Sequence, residues 1–274
     1  MAATPAMARS ASRSWRDPFF VPLVRYPIHE PLAALRDQRL CGFDAQRREM
    51  KLFLALPVYG GYHPHFVASL MHLIAHRPCE MVIRPCVGDS LVARARNRLA
   101  AQFLASDCTH LLFLDTDLIF SVEHVARLIS HGEPVVAGLY PKKQAELAWV
   151  CNFLPDSECD DRGLHPVRYA GTGCLLIARE VLEAMRDRWP ELAYDPDDGD
   201  ESGRKWDFFA CGVRQCPETG RRRYLSEDWW FCQRVLDLGH RVLMDTQVVL
   251  KHCGDAIYPL QEIESFADAV DAEA

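Results

Sequence analysis

The stretch Leu111-Leu112-Phe113-Leu114-Asp115-Thr116-Asp117 decides the fold. Four apolar residues followed by two carboxylates read as a parallel strand buried on both faces and ending at the carboxyl edge of an open α/β sheet, where such sheets bind ligands. Neither aspartate suits the core, because burying an unpaired charge costs several kcal/mol or forces protonation. Hard oxygen ligands at a rigid strand end suit Mg²⁺ or Mn²⁺, metals that commonly bridge to phosphate oxygens. The expected task of this edge is gripping a nucleotide diphosphate.

Working outward, strand and helix alternate. Lys51 to Val58 reads as the first core strand, broken by Pro57 and then Gly60-Gly61, and Phe66, Leu70, Leu73 and Ile74 space a helix over 64–76. Met81 to Val87 is a second strand, and a helix over about 91–105 leads into the strand that ends at Asp115. Ser121 is placed to cap a helix to about 131, and 134–140 gives another strand. This alternation predicts a doubly wound, mostly parallel sheet with right-handed crossovers. Beyond it, 149–154 and 168–177 read as strands, the latter carrying Gly171-Thr172-Gly173, and 179–188 as a short helix. Residues 189–224 lack periodicity and form an irregular, acceptor-side region, since long loops in compact domains are usually functional. Ser226 can cap a helix through Leu238 with Glu227 and Asp228 in its first turn, and a strand from Arg241 to Leu250 precedes His252 and Gly254.

The 274 residues, 49% hydrophobic, supply one substantial core. The expected division is an N-terminal tail and Pro-bearing arm over 1–47, a catalytic domain over 48–256 and an acidic tail over 257–274. A net charge of −7 argues against nucleic-acid backbone as partner. No window reaches the roughly 18 apolar residues of a membrane span, so a cytoplasmic protein, soluble or peripherally membrane-associated, is expected. Eleven cysteines, several inside apolar runs, fit buried thiols in a reducing compartment. A zinc site from Cys151, Cys159, Cys211 and Cys216 would need the irregular segment to fold back, with spacings longer than usual.

The order of motifs resembles a glycosyltransferase of the GT-A fold, specifically the family 2-like group. The matching pieces are Pro57-Val58-Tyr59, the helix Arg94-Ala95-Arg96-Asn97-Arg98, Asp115-Thr116-Asp117, Gly171-Thr172-Gly173, Ser226-Glu227-Asp228-Trp229, and His252 before Gly254, over residues 50 to 255. The resemblance implies a Rossmann-like GT-A fold and a metal-dependent transfer of a sugar from a nucleotide-diphosphate donor, UDP-sugar first and GDP-mannose second. The acceptor would be a hydroxyl or amine on a glycan, protein, lipid or small molecule. It implies Mn²⁺ or Mg²⁺ held by Asp115, Asp117 and His252, with Asp117 the more direct ligand and Asp115 contacting ribose or binding through water.

The same resemblance implies that Asp228 is the general base of an inverting transfer, with Glu227 supporting it, although retaining enzymes share the terminal histidine. A sugar hydroxyl needs such a base as it attacks. A donor site is expected from Pro57, Tyr59, Asp89, Arg94, Asn97, Asp115, Thr116 and Gly173. Arg94, Asn97 and Arg98 fall on one helical face, with Arg96 directed elsewhere. Helix-dipole complementation competes as an explanation for Glu227 and Asp228, and a solvated basic face for the arginines. Two other functions compete. A sugar nucleotidyltransferase would carry a glycine-rich, arginine-bearing loop after the first strand, where this chain has Leu56-Pro57-Val58-Tyr59-Gly60-Gly61. An inactive nucleotide-sugar-binding scaffold would have no use for Asp115, Asp117, Asp228 and His252 together.

Overall fold

Strands β1 (Lys51–Val58), β2 (Glu80–Val87) and β3 (His110–Leu114) lie parallel, with Leu54 opposite Ile83 on one side and Leu112 on the other. The computed structural model describes residues 50–154, 157–196, 203–215 and 220–259. The arm over 1–47 lies outside them, as do residues 260–274 of the acidic tail and Cys216 of the cysteine set.

Successive residues of β3 serve opposite faces, which is why its sequence is apolar from Leu111 to Leu114. Leu111 and Phe113 pack into one core with α2 (Val92–Leu104), α4 (Arg179–Arg188) and α5 (Glu227–Asp237). Leu112 and Leu114 pack into the other with α1 (Pro64–Ala75) and α3 (Val122–Ser130). Ser121 caps α3 as expected, and His124 returns the bond in a reciprocal capping box.

The central sheet adds β5 (Val135–Leu139), β6 (Cys151–Phe153), β7 (Leu164–Ala170), β8 (Cys174–Ala178) and β13 (Val242–Val249), in the order β2-β1-β3-β8-β5-β13-β7-β6. Among the described residues six of these eight strands run one way, and β7 and β8 run against them. The architecture is mixed α/β around a large, mostly parallel sheet, consistent with a GT-A or Rossmann-like fold.

One element is corrected. The run 168–177 is two strands, because Gly171-Thr172-Gly173 breaks it and β8 enters the sheet antiparallel between β3 and β5, with Leu176 facing both Leu112 and Val136. Within 189–224 lie short ladders: β9 (Ala193–Tyr194) with β10 (Lys205–Trp206), and β11 (Gly212–Gln215) with β12 (Arg222–Leu225). A small sheet joins β4 (Leu118–Ile119), β14 (Lys251–Cys253) and β15 (Ile257–Tyr258), so pairing continues past residue 256. No described helix is long and apolar enough to cross a membrane.

Candidate functional site

The end of β3 delivers Asp115 to a buried guanidinium. Arg96 Nη2 donates to Asp115 Oδ1 at 2.9 Å and Oδ2 at 3.2 Å, with the arginine side chain only 4% exposed. Arg96 Nε lies 3.7 Å from Glu227 Oε1, close enough for ion pairing, yet makes no hydrogen bond. Arg96 therefore sits between the carboxylate just past β3 and one of the first turn of α5. It lies on the same stripe of α2 as Leu99, Ala100 and Phe103, the stripe that faces the core. Arg96 is directed elsewhere than Arg94 and Arg98, which meet Asp89, and its direction is toward Asp115.

Gly171-Thr172-Gly173 closes over Asp115. The Asp115 backbone N–H donates to Gly173 O at 2.8 Å, and Gly173 N–H donates to the Tyr140 hydroxyl at 2.9 Å. A Cβ at Gly173 would stand 2.6 Å from that hydroxyl and 2.9 Å from Asp115 Oδ2, so the close approach requires glycine. The Thr172 hydroxyl is buried without a hydrogen-bond partner. Burial pushes the Glu227 carboxyl up, Arg96 opposes it, and neighbouring Asp228 adds to the rise. Burial also raises the Tyr140 phenol well above its ordinary value, with Asp115 adding to that rise.

Two residues further on, Asp117 belongs to a second group. The pairing of β4 with β14 sets His252 opposite Leu118, and Cys253 N–H donates to Asp117 O at 2.7 Å. His252 Nδ1 lies 2.9 Å from Pro141 O. A carbonyl only accepts, so Nδ1 carries a proton, and Nε2 is the ring nitrogen turned to Asp117, 3.5 Å from its Oδ1. That distance is an ion contact rather than a hydrogen bond, and Oδ1 is buried without a hydrogen-bond partner. Lys143 Nζ donates to the other oxygen, Oδ2, at 2.5 Å. Burial alone would raise the Asp117 carboxyl, but His252 and Lys143 outweigh it and hold it at about 2.

A buried carboxylate oxygen without a hydrogen-bond partner beside an imidazole nitrogen is a pair of donor types that a divalent cation could take. The expected set of three does not assemble, however. Among the described residues no three His, Cys, Asp or Glu side chains gather to hold a metal, because Asp115 is turned to Arg96. Cys151, Cys159 and Cys211 likewise belong to no such group among the described residues.

Asp228 opens α5 beside Glu227. Its Oδ1 accepts from the Ser226 hydroxyl and from Trp229 N–H at 2.8 Å, leaving Oδ2 uncommitted among the described residues. Ser226 stands at the N-cap position but turns its hydroxyl to Asp228 instead of capping α5.

Other expected donor residues have internal duties. Asp89 accepts from Leu91 N–H, from Arg94 at 2.8–3.1 Å and from Arg98 at 3.3 Å, so this carboxylate staples the start of α2. Asn97 is buried, donating to Asp207 Oδ1 at 2.8 Å and accepting from Phe209 N–H at 2.9 Å. Thr116 donates its hydroxyl proton to Gly61 O at 2.8 Å and ties down the loop after β1. Pro57 lies within β1 and is half-buried, while Tyr59 is 75% exposed just past its end.

No protein-family model matches the chain, and no curated protein matches it. Solved structures similar to it include A197 from STIV, 19% identical with a TM-score of 0.46, covering 75% of this chain and 87% of that one. GalNAc-T7 with UDP, GalNAc and Mn²⁺ is 9% identical with a TM-score of 0.48, over 81% of this chain and 47% of that one. The inositol-1-phosphate CTP transferase from T. maritima is 12% identical with a TM-score of 0.40, over 83% and 95%. At these values the likenesses describe chain shape and say nothing of this protein's chemistry.

Proposed function

We propose that the protein is a metal-dependent glycosyltransferase that takes a sugar from a nucleotide-diphosphate donor, UDP-sugar before GDP-mannose, and passes it to an acceptor hydroxyl or amine. One observation carries the reading. Asp117 Oδ1, buried and without a hydrogen-bond partner, faces His252 Nε2 at the carboxyl edge of the sheet. On the same edge Asp115 is linked through Arg96 to Glu227, the neighbour of Asp228.

Asp117 and His252 would hold Mn²⁺ or Mg²⁺, which when bound neutralises the charge developing on the departing diphosphate. Asp115, held by Arg96, serves as a fixed acceptor for donor hydroxyls. Lys143 adds a second positive charge beside Asp117. Asp228, with Oδ2 open, takes the proton of the attacking acceptor group.

Thermal unfolding of the full chain with UDP, GDP, CMP or dTDP, each with and without Mn²⁺, tests this. A native-state ligand at a hundred times its dissociation constant adds about 2.7 kcal/mol of stability. The expected result is a shift for one nucleotide that requires Mn²⁺ and disappears in Asp117→Ala. A specific observation favours the scaffold alternative: both carboxylates already meet cations of the chain, Arg96 and Lys143. No response to any nucleotide would select it.

A further inference from the structure

The β11–β12 hairpin sets Arg214 directly opposite Arg223 and Gln215 opposite Arg222. Like charges directly across an antiparallel ladder destabilise it, and a lone two-stranded hairpin has little stability to spare. Arg168 of β7 also lines the same shallow cleft, with Tyr169, Gln215 and Gln233. Asp237 offsets Arg214, accepting from its Nη2 at 2.5 Å. Arg223 is held by ring faces instead. Its Cζ lies 5.4 Å from the Trp229 centroid and 5.9 Å from that of Tyr169, and those rings stack at 5.0 Å. Among the described residues no carboxylate comes within 4.0 Å of Arg223.

A local repulsion retained against propensity is a mark of a functional site. In a chain of net charge −7, guanidinium groups from two elements gathered on one cleft suit a doubly charged tetrahedral oxyanion, whose oxygens match their fork geometry. We propose that the cleft between Arg168, Arg214 and Arg223 is a phosphate-binding subsite, the place where a phosphate-bearing acceptor docks. Trp229, whose ring Arg223 overlies, follows Asp228 in the first turn of α5, which is the link from this cleft to the proposed base. The acceptor role rests on the transferase reading above; the subsite itself does not.

Inorganic phosphate, titrated into the full chain at constant ionic strength, is the probe. Tryptophan fluorescence, with Trp229 in the stack, and thermal unfolding are the readouts, and acetate is the singly charged control. The expected result is saturable binding of phosphate and not of acetate, weakened about tenfold or more in Arg223→Gln. Arg168→Gln, on another strand, is expected to act alike. Without phosphate, Arg223→Gln should stay folded, because relief of the cross-strand repulsion offsets the lost ring contacts. Glycerol 3-phosphate and phosphatidate in phosphatidylcholine vesicles separate a soluble ester from a lipid headgroup; a response to either that Arg223→Gln loses supports the subsite. Asp117→Ala should leave phosphate binding intact. The proposal is overturned if Arg223→Gln and Arg168→Gln bind phosphate like the parent, if no saturable response occurs, or if Asp117→Ala abolishes it. A phosphate response without any nucleotide response would leave the subsite standing and remove the donor reading.

Discussion

Arg96 shows how a single side chain fixes the electrostatics of this edge. Truncating one member of a buried ion pair strands the other charge, so Arg96→Gln is expected to destabilise the protein by about 3 kcal/mol or more. Asp115→Asn placed in that background should return part of the loss, since it removes the carboxylate left alone. Denaturant unfolding of the two single variants and the double variant measures this coupling; strictly additive effects would mean that Arg96 does not hold Asp115. Arg96→Lys should rescue poorly, because an ammonium cannot span Asp115 and Glu227 as a planar fork does. A sign of Arg96 was present in the sequence: it stands three, four and seven residues before Leu99, Ala100 and Phe103, on an apolar stripe where a charge needs a partner. What the sequence could not supply was the partner, which arrives from two distant segments. Lys143 and Tyr140 were invisible for the same reason, lying in a stretch without a motif and meeting Asp117 and Gly173 only through the fold.

At the scale of elements, α3 is bolted to β13 by Asp245, a fully buried carboxylate that the sequence reading passed over. It accepts from Gln247 N–H at 2.9 Å and meets His131 Nε2 at 2.6 Å and Arg127 Nε at 2.7 Å. Burial would raise this carboxyl, but His131, Gln247 and Arg127 together hold it below its ordinary value of 3.8. A depressed native value means the unfolded chain binds the proton more readily, so the stabilisation is full above 3.8 and is lost as pH falls through the lower native value. Asp245→Asn is therefore expected to cost about 3 kcal/mol at neutral pH. That gap to the parent should close in acid, and urea unfolding over a pH series reads it. A gap that stayed constant with pH would locate the cost in packing rather than in charge. Elements like β1, α2, β3 and α4 were legible because their apolar spacing is set by faces that each must bury. The division at Gly171-Thr172-Gly173 was not, since an apolar run on either side of two glycines reads equally as one bulged strand. Antiparallel insertion of β8 depends on which neighbours it finds, and periodicity carries no record of that.

Across the whole molecule, the proposed site is assembled from opposite ends of the chain, Asp115 and Asp117 from the first half and Glu227, Asp228 and His252 from the last. The two contributions are expected to separate in function. Asp117 and His252 meet at 3.5 Å and belong to donor binding on the proposed reading, while Asp228 sits at the start of α5 with one carboxylate oxygen bound and the other open. Asp117→Ala should then lose both the Mn²⁺-dependent nucleotide response and sugar transfer. Asp228→Asn keeps the size and the hydrogen bonds to Oδ1 but cannot take a proton, so it should keep the nucleotide response and lose transfer by about 10²- to 10⁴-fold, the range of general-base catalysis. Transfer would be measured with the sugar of whichever nucleotide stabilises the parent. If Asp228→Asn turned over like the parent, the proton would be leaving through another group; Glu227, whose carboxyl is pushed up by burial, is the nearest carboxylate in sequence and the next to replace. If Asp228→Asn lost the nucleotide response as well, the two ends of the chain would be acting as one binding unit, and the division between donor grip and proton acceptance would be wrong.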